Sequence, residues 1–402
     1  MRTPSASATV IFAPFTSAQA NPDSPLAAFL QGIKINPYVP SSNSFLITGT
    51  SGSAISAPGI GAVYVGAIDG LSTTAGSGSG DWIDFNVPFD GAIETSCYGP
   101  DILSPGSGPG NIGEVALVGT WINANNKLLG WTYQGQLSTL ADSSSGSSGA
   151  FQSFQAKTAK NKLANYTYLH SVDGGYVAGN YTTLGGPIGV SLNSGPGAGS
   201  FVYDLEKRSQ KNAIYKNKSY KYHSLFGIWS NEDGTHTVSG GGSTKGMARS
   251  YGRLAKSAAD LVTGLPEDAA FGRGMFADMD PITGRARNER YYNYGNTKNS
   301  DTLTHFQGIY YAGEGIYQAP FDAILKSGEA LVGIAYVKRR SDGEFSRDAL
   351  WQVFPDPETG SLFSNDSVAA SGSIGAFNNG TLTSYASLSD TKHYLEAAQD
   401  LA

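Results

Sequence analysis

The chain is 402 residues long, carries a net charge of −6, and holds 52 glycines while only 15% of its residues are charged. An aromatic content of 11% supplies a core and excludes a disordered chain, and the acidic balance without a Lys/Arg face excludes a nucleic-acid partner. The lone Cys97 excludes an intrachain disulfide framework and a cysteine-based zinc site, and no apolar run is long enough to span a bilayer.

The N-terminal run Val10-Ile11-Phe12-Ala13-Pro14-Phe15 has two readings. Between Met1-Arg2 and Ala18-Gln19-Ala20 it looks like a short secretory signal, but its apolar stretch is brief and broken by Pro14. It also resembles Phe85-Asn86-Val87-Pro88-Phe89, a fourth-strand ending, so it can serve as a strand that closes the last repeat. The structural reading is preferred, and with it a cytoplasmic over a secreted location.

Further along, a short polar pair, two more residues and a glycine recur. The copies are Thr95-Ser96-Cys97-Tyr98-Gly99, His170-Ser171-Val172-Asp173-Gly174, His223-Ser224-Leu225-Phe226-Gly227 and Thr304-His305-Phe306-Gln307-Gly308, with a degenerate copy from Asp366. Each precedes a segment that alternates small and large residues about a glycine, as in Ala116-Leu117-Val118-Gly119-Thr120-Trp121 and Tyr176-Val177-Ala178-Gly179-Asn180-Tyr181. A third segment alternates aromatics (Gly130-Trp131-Thr132-Tyr133, Ser200-Phe201-Val202-Tyr203). A fourth pairs an aromatic with proline (Trp82 to Pro88, Trp351 to Pro355). Period-two alternation marks strands, and Asp280-Pro281-Ile282-Thr283-Gly284 and Asp356-Pro357-Glu358-Thr359-Gly360 mark turns.

Four antiparallel strands per unit, repeated, predict an all-β chain: one six-bladed β-propeller domain over 1–402. Units begin near 43, 95, 170, 223, 304 and 366, and five or seven blades also fit the pattern. The first unit lacks one strand. The sixth reaches only three strands, so residues 10–15 are expected to complete it and remove an unpaired edge. An insertion over 246–270 has helical character.

The segments His170-Ser171 with Gly179-Asn180-Tyr181, Tyr222-His223 with Gly227-Ile228-Trp229, Thr237-Val238-Ser239-Gly240-Gly241 and Thr304-His305-Phe306-Gln307-Gly308-Ile309 carry a resemblance. Over about 43–390 the chain resembles a group of uncharacterised bacterial hypothetical proteins with propeller-like repeats. No activity is established for that group, so the resemblance implies the repeat and no chemistry.

A propeller ligand is expected at the mouth of the central channel, where first strands end. His170, His223 and His305 lie in the first-strand motif and are the candidate catalytic residues, since imidazole suits proton transfer near neutral pH. Thr95, Tyr98, Trp229 and Asp366 are candidate ligand-binding residues, and Asp101, Asp173 and Asp366 lie in or just after first strands, where one could pair with a histidine. Aligned on the glycine, His170 and His223 share a column with Thr95, Thr304 and Asp366, whereas His305 falls one residue later. Successive strand residues point to opposite faces, so a three-histidine metal site is disfavoured and no cofactor is expected. Adjacent serines, as in His170-Ser171 and His223-Ser224, do not place a base on a hydroxyl. These residues suggest a site for a small neutral or saccharide-like molecule, with lyase or hydrolase chemistry if a histidine acts as acid or base. A non-catalytic binding or scaffolding propeller that contacts a protein or glycan is the alternative, and a structural surface protein a third.

Overall fold

The computed structural model describes residues 15–16, 27–39, 44–51, 59–67, 80–107, 109–140, 151–183, 198–243, 272–296, 302–325, 330–353, 397–399 and 401. Alternation builds five antiparallel sheets among them, arranged as the blades of a propeller. Blade one holds β1 (Phe15–Thr16), β2 (Ala27–Ile35), β3 (Ser44–Ser51), β4 (Ile60–Ala67) and β5 (Asp81–Phe85). Blade two holds β6 (Ala92–Ile102), β7 (Glu114–Asn123), β8 (Leu128–Gln136) and β9 (Phe151–Phe154). Blade three runs through β10 (Tyr166–Asp173), β11 (Tyr176–Thr182), β12 (Ala198–Asp204) and β13 (Ser209–Asn212). Blade four holds β14 (Tyr222–Ser230), β15 (His236–Ser243), β16 (Gly272–Met279) and β17 (Ala286–Tyr292). In blade five, β18 (Thr302–Phe306) and β19 (Tyr310–Gly313) both pair with β20 (Ile316–Leu325), followed by β21 (Ala330–Lys338) and β22 (Leu350–Val353).

Among the described residues the blades number five, a count the repeat pattern allowed beside six. The strand missing from the first unit is β2, which precedes residue 43 and has no polar pair to announce it. The unit expected from 366, residues 10–14 of the closing strand, and the 246–270 insertion lie outside the described residues. Phe15 itself pairs with Ala28, in the first sheet.

Packing between blades explains the small–large alternation. On β7, Val115 and Leu117 pack toward blade one with Leu46, Val63 and Phe85. Their neighbours Ala116 and Val118 face blade three, where Leu169, Val177 and Phe201 fill the space. Ala178 and Val202 then receive Leu225, Val238 and Met275 of blade four, while Phe276 of blade four meets Phe306, Phe321 and Phe345 of blade five. The sheets of blades two, three and four are therefore buried on both faces, and their two residue sets serve two different neighbours.

The inner strands share an irregularity that no single strand motif reveals. Pairing slips between Leu30 and Gly32, Cys97 and Pro100, Leu169 and Ser171, and Leu225 and Gly227. In blade five the same place is a break between Phe306 and Tyr310. Each slip is a β-bulge, which adds a residue and bends the strand. The bulge tips a carbonyl of the first strand against the second, and there the recurring glycine is needed. A Cβ on Gly119 would lie 1.9 Å from the Ser96 carbonyl oxygen, and one on Gly240 would lie 2.0 Å from that of Ser224.

The bulge also brings neighbouring inner strands into backbone contact. A Cβ on Gly99 would sit 2.6 Å from Ser171 Cα and 2.9 Å from the His170 carbonyl oxygen, with only backbone to yield. Gly99→Ala should therefore destabilise the ring by about 2–3 kcal/mol, the usual cost of overpacking. Urea unfolding checks this; a midpoint equal to the parent's would show that the blades do not meet there.

Candidate functional site

At the bulge, each of four inner strands carries one extra residue, and rings at this level meet across neighbouring blades. The extra residues are Gln31, Tyr98, His170 and Phe226, one from each of blades one to four. Their rings run in sequence around the wall. Tyr98 meets His170 edge-on at 5.3 Å, His170 stacks on Phe226 at 4.0 Å, and Phe226 meets His305 of blade five edge-on at 4.4 Å. Tyr168 adds a parallel ring 5.8 Å from His170. The result is a wall of aromatic faces interrupted by imidazole nitrogens.

Two of the three predicted histidines thus share this wall, together with Tyr98. The structural register differs from the sequence alignment: His170 occupies the bulge, with Ser171 where other blades have glycine, so the column of Thr95 and His223 is filled in blade three by Thr167. That column does a structural job. Thr95, Thr167 and Thr304 each accept, through Oγ1, the backbone N–H of the incoming connection, from Val87, Ala156 and Tyr294 respectively. Thr95 is fully buried in that role. His223 stands in the same column but stacks on Tyr215 at 3.6 Å and hydrogen-bonds the Tyr291 hydroxyl at 2.8 Å, away from His170 and His305. Asp366 lies outside the described residues.

Trp229 lies on the channel too, but at the end where the first strands finish. Three residues beyond each bulge position stand Lys34, Asp101, Asp173, Trp229 and Tyr310, one per blade. The Lys34 ammonium pairs with Asp173 and lies 3.2 Å from Asp101. It also sits 4.8 Å over the Trp229 ring, and Tyr310 packs edge-on against that ring at 5.6 Å. Asp101 and Asp173 therefore pair with a lysine rather than a histidine. The signal available in the sequence was this column, which holds polar and aromatic residues where a strand end would ordinarily be apolar. Lys34 escaped because β2 itself did.

Electrostatics separate the two ends. Burial pushes His170 down to about 3, with the neighbouring His305 imidazole adding to the shift, and burial alone pushes His305 to about 3. Both rings are neutral at neutral pH. His305 Nε2 lies 2.9 Å from Ser224 Oγ, and a Cβ on Gly241 would intrude on that ring. Ser224 is buried and its imidazole partner is only weakly basic, so the bond ties blade four to blade five. His170 Nε2, by contrast, is shielded from solvent and has no hydrogen-bond partner among the described residues. At the far end, burial opposes the Lys34 charge, but the two carboxylates overcome it and hold the ammonium above the usual lysine range. Burial raises Asp101, against the lowering effect of Lys34. Among the described residues no group of three His, Cys, Asp or Glu side chains could hold a metal ion, and no helix is long and apolar enough to cross a membrane.

No protein-family model matches the chain, and no curated protein matches it. Among solved structures it is similar to the GH43_1 enzyme from Xanthomonas citri complexed with xylotriose, at 10% identity and TM-score 0.36 over 80% of this chain and 90% of that one. It is also similar to a B. megaterium levansucrase mutant, at 10% identity and TM-score 0.41 over 90% and 93%. An alpha-L-arabinofuranosidase from Lactobacillus brevis follows at 6% and 0.36 over 79% and 93%. Likeness at this level extends to no residue and no activity.

The depressed imidazoles predict an acid sensitivity. His170, His223 and His305 are held at about 3 in the fold, against about 6.5 when unfolded. The unfolded chain therefore takes up protons as pH falls below 6.5, while the fold does not. Stability is full above that value and drops toward pH 3, by up to about 1.4 kcal/mol per pH unit for each such histidine. Urea unfolding at pH 7, 6 and 5 measures the slope. Burial lowers His236 as well, so replacing His223 with Gln should reduce the slope by one imidazole's share and leave the rest.

Proposed function

We propose that the aromatic and imidazole wall formed by Tyr98, Tyr168, His170, Phe226 and His305 binds a small neutral, polar molecule of saccharide type. The observation that carries this reading is His170 Nε2, a shielded polar atom without a partner among the described residues, beside the rings of Tyr98, Tyr168 and Phe226. Buried polar groups are nearly always paired, so an unpaired one facing rings asks for a hydroxyl from outside the chain. Aromatic faces suit the apolar face of such a ligand, and a neutral imidazole offers one donor and one acceptor.

Binding is favoured over turnover for a physical reason. A histidine held at about 3 is unprotonated at neutral pH, so it cannot serve as a general acid, and it is a weak base. The lyase or hydrolase reading therefore loses the residues expected to perform it.

Calorimetry against a panel of neutral mono- and oligosaccharides tests the proposal. Affinity should stay constant from pH 5 to 8, because the imidazoles do not titrate there. His170→Phe keeps a stacking ring and removes Nε2, and should weaken binding at least about tenfold, the worth of one lost hydrogen bond to a buried group. An unchanged melting temperature would show that the fold is intact. A panel without a binder, or a variant that binds as the parent does, would sink the idea.

A further inference from the structure

The far end of the channel presents a different chemistry. Lys34, Asp101, Asp173, Trp229 and Tyr310 come from five blades at one repeat position and meet at one point, which the Lys34 Nζ occupies. Two anions and an aromatic face around one ammonium, with its three N–H donors, make a receptor for such a group.

The receptor is held by groups other than its guest. Asp101 Oδ2 accepts the backbone N–H of Gly174 at 2.9 Å, and its Oδ1 accepts that of Ile102 at 3.0 Å. Asp173 Oδ2 accepts the backbone N–H of Ser230 at 2.6 Å, and the Ser230 hydroxyl donates to the Asp173 carbonyl at 2.9 Å. Trp229 is braced by Tyr310. None of these contacts involves Lys34, so both carboxylates and the ring keep their places when the ammonium leaves. Beside the ammonium a cleft lined by Ile33, Pro100, Ser171, Ile228 and Ile309 encloses about 10 Å³, enough for one water. The Lys34 side chain lines the same cleft, so shortening it enlarges that space.

We propose that this end of the channel is a preformed site for a primary alkylammonium group, and that Lys34 is its tethered occupant. A free amine of similar length takes the same place once the tether is removed. The site is distinct from the imidazole wall and does not depend on its function.

The test uses full-length Lys34→Ala and its melting temperature. Loss of the ammonium leaves two buried carboxylates uncompensated, so the variant should melt several degrees below the parent. n-Propylammonium chloride at millimolar concentration should restore at least half of that difference, and the recovery should saturate. n-Propanol, tetramethylammonium chloride and sodium chloride at equal ionic strength should not. Adding Asp173→Asn to the variant should abolish the rescue, which a general salt effect would not do. Rescue by sodium chloride alone, rescue that survives Asp173→Asn, or a variant that the amine leaves unfolded or unrestored would each overturn the proposal.

Discussion

The channel depends on one charge at its axis. A propeller places its first strands side by side, so whatever occupies a given inner position is repeated once per blade and converges. At the position three residues past the bulge, five like charges would repel, and five apolar residues would leave the rim exposed. Here the column reads Lys34, Asp101, Asp173, Trp229 and Tyr310, a cation answered by two anions and an aromatic face. The ammonium touches three other blades at once, and the backbone N–H groups of Gly174 and Ser230 fix the carboxylates that receive it. Exposed ion pairs contribute little, but this one is largely removed from water, so loss of the ammonium leaves two carboxylates uncompensated at a cost.

The bulge one turn of the channel earlier is the second constraint, and it makes the first workable. By adding a residue to each of four inner strands it lets the rings of Tyr98, His170 and Phe226 meet across neighbouring blades and pushes a carbonyl against the second strand. The glycines at 119 and 240 accommodate that carbonyl, which ties a sequence signature to a backbone event. Bending the strands at one level lets the wall above be aromatic and neutral while the rim below is charged. The two ends therefore offer different chemistry: a neutral hydroxyl-binding surface and an ammonium receptor.

Interblade hydrogen bonds reinforce this frame wherever apolar packing thins. Asn180 donates to and accepts from the backbone of Leu225, Ser239 donates to the Gly308 carbonyl, and Ser224 meets His305. Arg339 pairs with Asp278 and also reaches Thr237, linking blades four and five outside the channel. Several residues that resemble catalytic groups by type are thus committed to holding sheets together. Thr95 and His223 belong to that class: one caps a connection, and the other is stacked and hydrogen-bonded between tyrosines.

The sequence by itself determined the all-β repeat, because period-two alternation and a recurrent glycine reflect local strand geometry and contacts between adjacent strands. It also grouped His170, His223, His305, Thr95, Tyr98, Trp229 and Asp366 at one mouth, and of these the structure joins Tyr98, His170 and His305 through Phe226. It could not determine which repeat position faces the axis. A bulge shifts register by one residue, so aligning glycines put His170 in the column that Thr167 fills. Nor could it find β2, whose polar pair is absent, and with β2 went Lys34. Convergence of five residues from five blades is set by closure of the ring, a long-range constraint that leaves no local trace. Only the tertiary structure decided that His223 turns away, that Trp229 serves the opposite end, and that Asp101 and Asp173 meet a lysine.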